Sequence, residues 1–295
     1  MNSILRLRGK SHHNRLLQIV IPLALCLLPL SNVSAQERCH YTTDDSLTVV
    51  GLLGSGNTDL LYYARHFLGL PYVAHTLELY PDDERLVLNT RELDCTTYVD
   101  VVVALTICAR RGETTFEQFV HQLHQQRYWN GFCNGYPSRI HYFSDWIRDN
   151  SRMAFVTEIQ QPTPPFTALQ TVRVSYMSEH PEQYEALKRH PEFLERIGRT
   201  EQSLTGHQYR YIPTSQLDDT PALREAVHDG DIIAITSLTP GLDIAHLGIA
   251  VWHDDGLHMI DASSVHKKVT EESITMKQYL QRRRNADGIR IVRLQ

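Results

Sequence analysis

The sequence predicts an α+β fold, with helices in the first two thirds of the chain and an antiparallel sheet at the end. Helical patterns with caps and stop signals dominate before about residue 200. After about residue 228 they give way to short β-rich runs, separated by turn sequences such as "DDG" and "ADG". Helices and strands that are segregated along the chain are typical of α+β proteins.

Four helical segments are predicted in the first half of the chain. "NTDLLYYARHFLGLPY" is a helix that Thr58 caps and Gly69 ends. "DCTTYVDVVVALTICARRG" is a second helix despite its valines, because Gly112 stops it. "TTFEQFVHQLHQQRYW" is a third, with Thr115 and Gln118 placed for a capping box, and "RIHYFSDWIRDN" is a short fourth.

The remainder of the chain supplies a connection, two more helices and the strands. "QQPTPPFT" is a proline-rich connection, and "HPEQYEALKRHPEFLERIGR" predicts two helices broken at Pro191. The predicted strands are "GDIIAITS", "AHLGIAVWH", "LHMIDAS" and "GIRIVRL". No internal repeat interrupts this order, so a strand meander is expected at the C-terminus.

The N-terminal segment has the pattern of a signal peptide. A basic start and the apolar run "LLQIVIPLALCLLPL" are followed by "SNVSA", which predicts cleavage after Ala35. The run has 15 residues, fewer than the roughly 20 of a membrane span, so no integral span is expected. A lipoprotein anchored at Cys26 is the alternative, but Leu25 is larger than the residue that such a signal requires. We therefore expect a periplasmic or secreted protein.

Composition limits the classes of function. Residues 36–295 are expected to form a single catalytic domain of 295 − 35 = 260 residues. A net charge of −5 with mixed signs gives no electrostatic reason to expect nucleic acid binding. Four of the five cysteines lie in residues 36–295, which is too few for a disulfide scaffold, and no CxxC spacing suggests structural zinc, so we expect neither a metal nor another cofactor. They are Cys39, Cys95, Cys108 and Cys133.

Cys95 differs from the other cysteines because it lies at the predicted start of a helix, beside Asp94, Thr96 and Thr97. Unpaired backbone N–H groups and the positive end of the helix dipole favour a thiolate at this position. Asp94 is predicted to cap the helix. Cys108 and Cys133 fit the pattern of buried structural cysteines. Cys95 is therefore the candidate nucleophile.

A thiol nucleophile needs a base, and that base needs an acceptor for its other nitrogen. His246 begins the predicted strand "AHLGIAVWH", which a turn at Asp254 and Asp255 joins to the strand "LHMIDAS". Residues at the free ends of an antiparallel hairpin lie opposite each other. Counting from the turn brings Asp261 about level with His246, on a neighbouring rung. The hairpin therefore predicts a histidine–carboxylate pair.

Five segments in order resemble a known group of enzymes. They are "FLGLPYVAHTLEL", "LDCTTYVDVV", "GDIIAI", "HLGIAVW" and "IDASS", and "YPSRIHYFSDWIRDN" also looks like a family element. Together they resemble the NlpC-type cell-wall peptidases of the papain-like superfamily, and more closely the N-acetylmuramoyl-L-alanine amidase-like family. The resemblance extends from about residue 55 to the C-terminus.

This resemblance implies a papain-like core in which the nucleophile helix packs on the C-terminal antiparallel sheet, with residues 110–230 as a large, mostly helical insertion that covers or narrows the cleft. It assigns Cys95 as nucleophile, His246 as base and Asp261 as the third catalytic residue. We expect substrate contacts in the same cleft from four residues: Tyr72, Asp94, Arg139 and Asp243.

Three positions depart from the family pattern. Leu70 replaces a small polar residue of "GTPY", and His75 stands where glycine is common. Asp261 replaces an expected histidine, which is chemically tolerable because a carboxylate can also orient and stabilise imidazolium. The first two changes affect the substrate pocket, and the third affects the orientation of the base.

The resemblance implies an exported cysteine amidase that acts on peptidoglycan fragments or stem peptides, at the N-acetylmuramoyl-L-alanine bond or at a D-Glu–diamino acid bond. Two other classes are considered: a stem-peptide binding protein without catalysis, and a zinc amidase. Its available histidine clusters are His121 with His124 and His253 with His258, neither in an HExxH pattern. Neither the scissile bond nor the oligomeric state is predicted.

Overall fold

The computed structural model describes residues 39–295. The predicted signal peptide, residues 1–35, and the alternative anchor Cys26 lie outside these described residues. In residues 39–295 no helix combines the length and the apolar character that crossing a membrane requires.

The α-helices and β-strands of the described residues are each numbered in chain order. The helices are α1 (Thr43–Leu53), α2 (Leu60–His66), α3 (Cys95–Arg110), α4 (Phe116–Arg127), α5 (Phe143–Arg152), α6 (Tyr176–Glu179), α7 (Glu185–Arg189), α8 (Phe193–Leu204), α9 (Pro221–Ala226) and α10 (Met276–Gln281). The strands are β1 (Cys39–His40), β2 (Leu86–Val87), β3 (Val156–Ile159), β4 (Ala168–Thr171), β5 (Gln208–Pro213), β6 (Ile232–Ser237), β7 (Ile244–His253), β8 (Gly256–Ser263), β9 (Lys268–Glu271) and β10 (Ala286–Leu294).

The main sheet is antiparallel, with the strand order β4-β5-β10-β6-β7-β8-β9 and with β3 also paired to β10. The predicted α+β class is confirmed. All four predicted strands are present, as β6, β7, β8 and β10. The hairpin of β7 and β8 is in the register that pairs Ile249 with Ile260 and His253 with Gly256.

Both faces of this sheet are covered, which explains the continuous apolar run of β6. Ile232 and Ala234 pack into a core shared with helices α1 to α5. Ile233 and Ile235 point the other way, into a second core that includes side chains of α9 and α10. Because neighbouring residues of a strand face opposite sides, two covered faces require an apolar residue at every position.

Helix α3 is held against its neighbours by a buried polar network as well as by its valines. Asp100 accepts hydrogen bonds from Arg127 Nε at 2.8 Å and from Trp146 Nε1 at 3.0 Å. All three side chains are buried. The network fixes α3 relative to α4 and α5, and so fixes the position of Cys95 at the start of α3.

Residues 110–230 differ from the mostly helical segment that the sequence predicts. They contain α4 to α9, but they also contribute β3, β4 and β5, which join the main sheet. The pairing of β3 and β5 with β10 depends on contacts between residues far apart in the chain, such as Thr157 opposite Arg293. A local sequence pattern carries little information about such pairing.

One helix cap was predicted at the wrong residue, and four helices were missed. Asp59, not Thr58, caps α2, accepting a hydrogen bond from the Leu61 amide at 3.1 Å. The predicted capping box of Thr115 and Gln118 is present at α4. Helices α1, α6, α9 and α10 were not predicted.

Candidate active site

Cys95 is the first residue of α3, and the local sequence explains its position. The Thr97 amide donates to Asp94 Oδ1 at 2.8 Å, and the Asp94 amide donates to Thr97 Oγ1 at 2.9 Å. This reciprocal capping box fixes the start of the helix. It uses the third amide of α3, so the amides of Cys95 and Thr96 lie outside the cap. The half-buried thiol is thus at the positive end of a 16-residue helix.

The predicted proximity of His246 and Asp261 is present in the structure. Nε2 of His246 lies 2.5 Å from Oδ2 of Asp261. His246 is 6% exposed and Asp261 is fully buried. Continuing the β7–β8 register from Ile249 opposite Ile260 brings Gly248 opposite Asp261. His246 is two residues further along the same face, so the two side chains are diagonal neighbours.

Gly248 makes room for this pair. A Cβ atom at this position would lie 2.9 Å from Met259 Sδ, 3.0 Å from the Ile260 carbonyl oxygen and 3.4 Å from the Asp261 Cβ. The first two distances are shorter than ordinary carbon contacts. The glycine of "HLGIAVW" is therefore required by close packing between the strands, beside the carboxylate that contacts His246.

The charge on His246 is set by opposing effects. Burial alone would lower its pKa, but a hydrogen bond and charge attraction from Cys95, together with those from Asp261, raise it to about 10. Asp261 occupies Nε2, which leaves Nδ1 as the nitrogen for the thiol. The arrangement favours the imidazolium form of His246 beside Cys95.

Two cavities border Cys95 and Thr96. One, of about 190 Å³, is also lined by His246 and Asp243. The other, of about 340 Å³, is lined by Tyr72 together with Asp94 and Arg139. A bound chain could therefore extend to both sides of the thiol.

The four predicted substrate-binding residues all line these cavities, but three of them also have structural partners. Asp94 caps α3, as described above. Asp243 Oδ2 accepts a hydrogen bond from the Ser144 amide at 2.7 Å, which ties the loop before β7 to the start of α5. Tyr72 is near Cys95, and burial, with the charges of Cys95 and Asp94, raises its pKa.

Arg139 has the most extensive set of partners. Its guanidinium pairs with Glu78, lies 3.7 Å from Glu84 and donates to the Leu77 carbonyl at 3.0 Å. Burial would lower the pKa of Arg139, but the two glutamates raise it. The buried arginine therefore stays charged, with its charge balanced inside the protein.

Glu78 and His141 border both cavities, and sequence reasoning missed them. Burial and the charge of Arg139 lower the pKa of His141 to about 3, so its ring is neutral near pH 7. Nε2 of His141 lies 3.0 Å from the Tyr136 carbonyl oxygen, which leaves Nδ1 as an acceptor. The position of His141 within the family-like segment "YPSRIHYF" was the available signal. Glu78 had none beyond its place in "HTLEL".

The segment 110–230 also supplies one wall of the smaller cavity. Tyr142, Met177 and Tyr184 line it, and they belong to or pack against a third apolar cluster formed largely by this segment.

The backbone at His75 explains why glycine is common at this position in the family pattern. His75 lines the larger cavity with φ of +63°, a left-handed conformation in which glycine is favoured.

The other cysteines of the described chain have different surroundings. Burial raises the pKa of Cys39 to about 12 and also raises that of Cys108. Cys133 Sγ contacts the Glu84 carbonyl oxygen at 3.6 Å. None of the three borders the cavities at Cys95 that are described above.

The histidines considered for zinc lie elsewhere. In residues 39–295 one group could supply three metal ligands, namely His253, Asp255 and His258 at the β7–β8 turn. The two imidazole rings stack at 4.2 Å with an angle of 15° between their planes. A metal bonds close to the plane of an imidazole ring, and two nearly parallel stacked planes do not meet within a metal–nitrogen bond length of the rings. The group is also about 23 Å from His246 along β7, at 3.3 Å per residue.

The fold and its structural neighbours define the class first. The structure of an N-acetylmuramoyl-L-alanine amidase from Bacteroides uniformis ATCC 8492 matches with a TM-score of 0.74 and 38% identity, over 82% of this chain and all of that one. A Bacteroides fragilis structure with a provisional assignment as a xylanase matches with a TM-score of 0.73 and 37% identity, over 79% and 100% of the chains. The class is an amidase-like hydrolase with an α+β fold.

The family follows from the sequence itself. The family described as N-acetylmuramoyl-L-alanine amidase-like matches residues 62–289. The chain belongs to this family of cell-wall hydrolases, which implies a peptidoglycan substrate. A Legionella pneumophila protein shares the fold at 22% identity and a TM-score of 0.65, over 85% of this chain and 94% of that one. No curated protein sequence matches the chain.

Proposed function

We propose that the protein is a cysteine amidase that hydrolyses the N-acetylmuramoyl-L-alanine bond of peptidoglycan fragments. The observation that carries this proposal is the line of three groups at the start of α3: the Cys95 thiol, the His246 ring and the Asp261 carboxylate. The line ends between two cavities, where an amide could be attacked. The family name indicates which bond is the first candidate.

His246 holds the proton of Cys95 on Nδ1, and the resulting thiolate attacks the amide carbonyl carbon. The amides of Cys95 and Thr96, which the helix cap leaves available, stabilise the negative oxygen that forms. His246 then returns the proton to the leaving amine as the C–N bond breaks and a thioester remains. Water, deprotonated by His246, hydrolyses the thioester and regenerates the thiol.

Asp261 orients the imidazole through Nε2 and stabilises the imidazolium while the proton is on His246. Its burial makes this interaction strong, because little water screens the charges. In this role the aspartate substitutes for the histidine expected from the family pattern.

We further propose that α3 packed on β6, β7 and β8 is a papain-like core of the NlpC type. The support is the arrangement itself, a nucleophile at a helix start with its base on the adjacent antiparallel sheet. Export with cleavage after Ala35 is also proposed, on the basis of the N-terminal sequence pattern. N-terminal sequencing of the protein recovered from a cell fraction outside the cytoplasm tests it.

The decisive experiment uses defined muropeptides and mass spectrometry of the products. Cleavage of the proposed bond releases an intact stem peptide and the free sugar, whereas cleavage after D-Glu splits the stem peptide. Iodoacetamide should abolish turnover once peptide mapping shows Cys95 to be alkylated, and EDTA should have little effect. Loss in EDTA that zinc restores would contradict the cysteine mechanism, and binding without any cleavage would leave a stem-peptide binding protein.

A further inference from the structure

Asp261 has a second carboxylate oxygen that the mechanism above does not use. Oδ2 contacts His246, while Oδ1 is buried and has no hydrogen-bond partner of ordinary geometry in residues 39–295. A buried carboxylate oxygen without a donor is costly, because it has lost its contact with water. The side chain that faces Oδ1 therefore affects how well Asp261 holds the base.

The strand register brings Glu272 next to Asp261. In the β8–β9 pair, Asp261 lies opposite Thr270. The Glu272 amide donates to the Met259 carbonyl at 2.9 Å, so the pairing continues past the end of β9. Glu272 is thus a diagonal neighbour of Asp261 on the same face, as Asp261 is of His246. Its side chain is 5% exposed and within hydrogen-bonding reach of Asp261.

The charges around Glu272 favour its neutral form. Burial raises the pKa of Glu272, and the nearby charge of Asp261 raises it further. Two carboxylates in contact rarely ionise together, so one of them keeps a proton. His266 acts in the opposite direction, with its Nε2 at 3.3 Å from Glu272 Oε2. Tyr279, from α10, is close to both carboxyl groups: burial and the charges of Asp261 and Glu272 raise its pKa.

We propose that Glu272 is a positioning residue whose protonated carboxyl donates a hydrogen bond to Oδ1 of Asp261. Oε2 of Glu272 then accepts from the Nε2–H of His266. Each hydrogen bond in the series from His266 through Glu272 and Asp261 to His246 therefore has a donor and an acceptor. The Asp261 carboxylate is held by Glu272 on one oxygen and orients His246 with the other. This role rests on the proposed function, because it acts on the base of that mechanism.

The experiment compares Glu272→Gln with Glu272→Leu. Glutamine can still donate to Asp261 and accept from His266, whereas leucine can do neither. We expect Glu272→Gln to retain kcat within about twofold. Glu272→Leu should lower kcat by about ten- to hundredfold, the usual effect of losing a hydrogen bond to a charged group, with KM nearly unchanged. Glu271→Gln is the matched control, because the Glu271 side chain pairs with Arg65 and His253 instead.

A second measurement tests the contact between Glu272 and Asp261 without substrate. NMR titration of the histidine ring nitrogens should show the pKa of His246 lowered in Glu272→Leu and retained in Glu272→Gln. Equal damage in both variants would mean that Glu272 acts through its negative charge, and wild-type kcat in Glu272→Leu would remove it from the mechanism. Either result overturns the proposal. If no variant and no wild-type protein cleaves muropeptides, the proposed function fails, while the titration still tests the contact.

Discussion

The two ends of the β7–β8 hairpin carry the same kinds of side chain in different surroundings. At the open end, His246 and Asp261 are both buried and Cys95 is their neighbour. At the turn, His258 lies 2.9 Å from Asp255, a residue whose side chain is 65% exposed. His253, also at the turn, lies 2.7 Å from Glu271.

The burial of the carboxylate and the presence of a third partner make the difference between these ends. An exposed ion pair contributes little, because water screens the charges and the side chains lose freedom. A buried histidine–carboxylate pair beside a thiol changes the pKa of the histidine, as is typical of catalytic sites. A histidine next to a carboxylate therefore indicates function only together with its surroundings.

Removing a histidine from each end of the hairpin should give the largest difference in activity. Cys95→Ala and His246→Ala should each lower turnover by more than about a thousandfold without unfolding the protein, and the double variant should be little worse, since the groups act as a unit. His253→Ala should retain most of the activity. Kinetics on a muropeptide, with thermal unfolding measured alongside, check this. Activity that survives in His246→Ala would identify another base.

The carboxylates at the two ends should differ in the same way. Asp261→Asn keeps the shape but can hold the wrong tautomer of His246, so kcat should fall by about a hundredfold or more while KM changes little. Asp261→His should be partly tolerated, because it restores the residue expected from the family pattern. Asp255→Asn at the turn is the control. Equal rates in all of these proteins would leave Cys95 and His246 as an unassisted pair.

The pH dependence should separate the ends further. The folded-state pKa of His246 is raised from 6.5 to about 10, so the stabilisation from its charged form is complete below about pH 6.5 and is lost as the pH rises towards 10. Activity should fall in the same range as the imidazolium loses its proton. In Cys95→Ala the pKa of His246 should be lower, because a main cause of its rise is gone. NMR titration that finds the same pKa in both proteins would contradict the coupling.

The smallest effect is expected from His258 at the turn. Its side chain is 1% exposed, and Nδ1 lies 2.8 Å from the Glu272 carbonyl oxygen. His258→Ala should lower the free energy of unfolding by about 1–3 kcal/mol, the cost of losing a buried hydrogen bond. Turnover per folded molecule should change little. A large loss of kcat at unchanged stability would show that the two ends are coupled.

Local sequence patterns were enough to predict the class of fold and the three residues Cys95, His246 and Asp261 of the candidate site. Asp94 before Cys95 is a local capping signal, and the hairpin turn fixes the spacing of His246 and Asp261, so both could be predicted from short segments. Strands β6, β7, β8 and β10 followed from local patterns in the same way, whereas β9 was not predicted.

Only the tertiary structure decided which distant residues meet. The joining of β3 and β5 to β10, the places of Glu78 and His141 beside both cavities, and the contact of Glu272 with Asp261 depend on strand pairing and packing between separate elements. Burial and charge pairing then set the charges, since Glu78 and Glu84 retain the cation of Arg139, whereas burial and the charge of Arg139 remove that of His141. A residue's sequence neighbours do not carry this information, because desolvation and charge pairing arise only where the folded chain brings groups together.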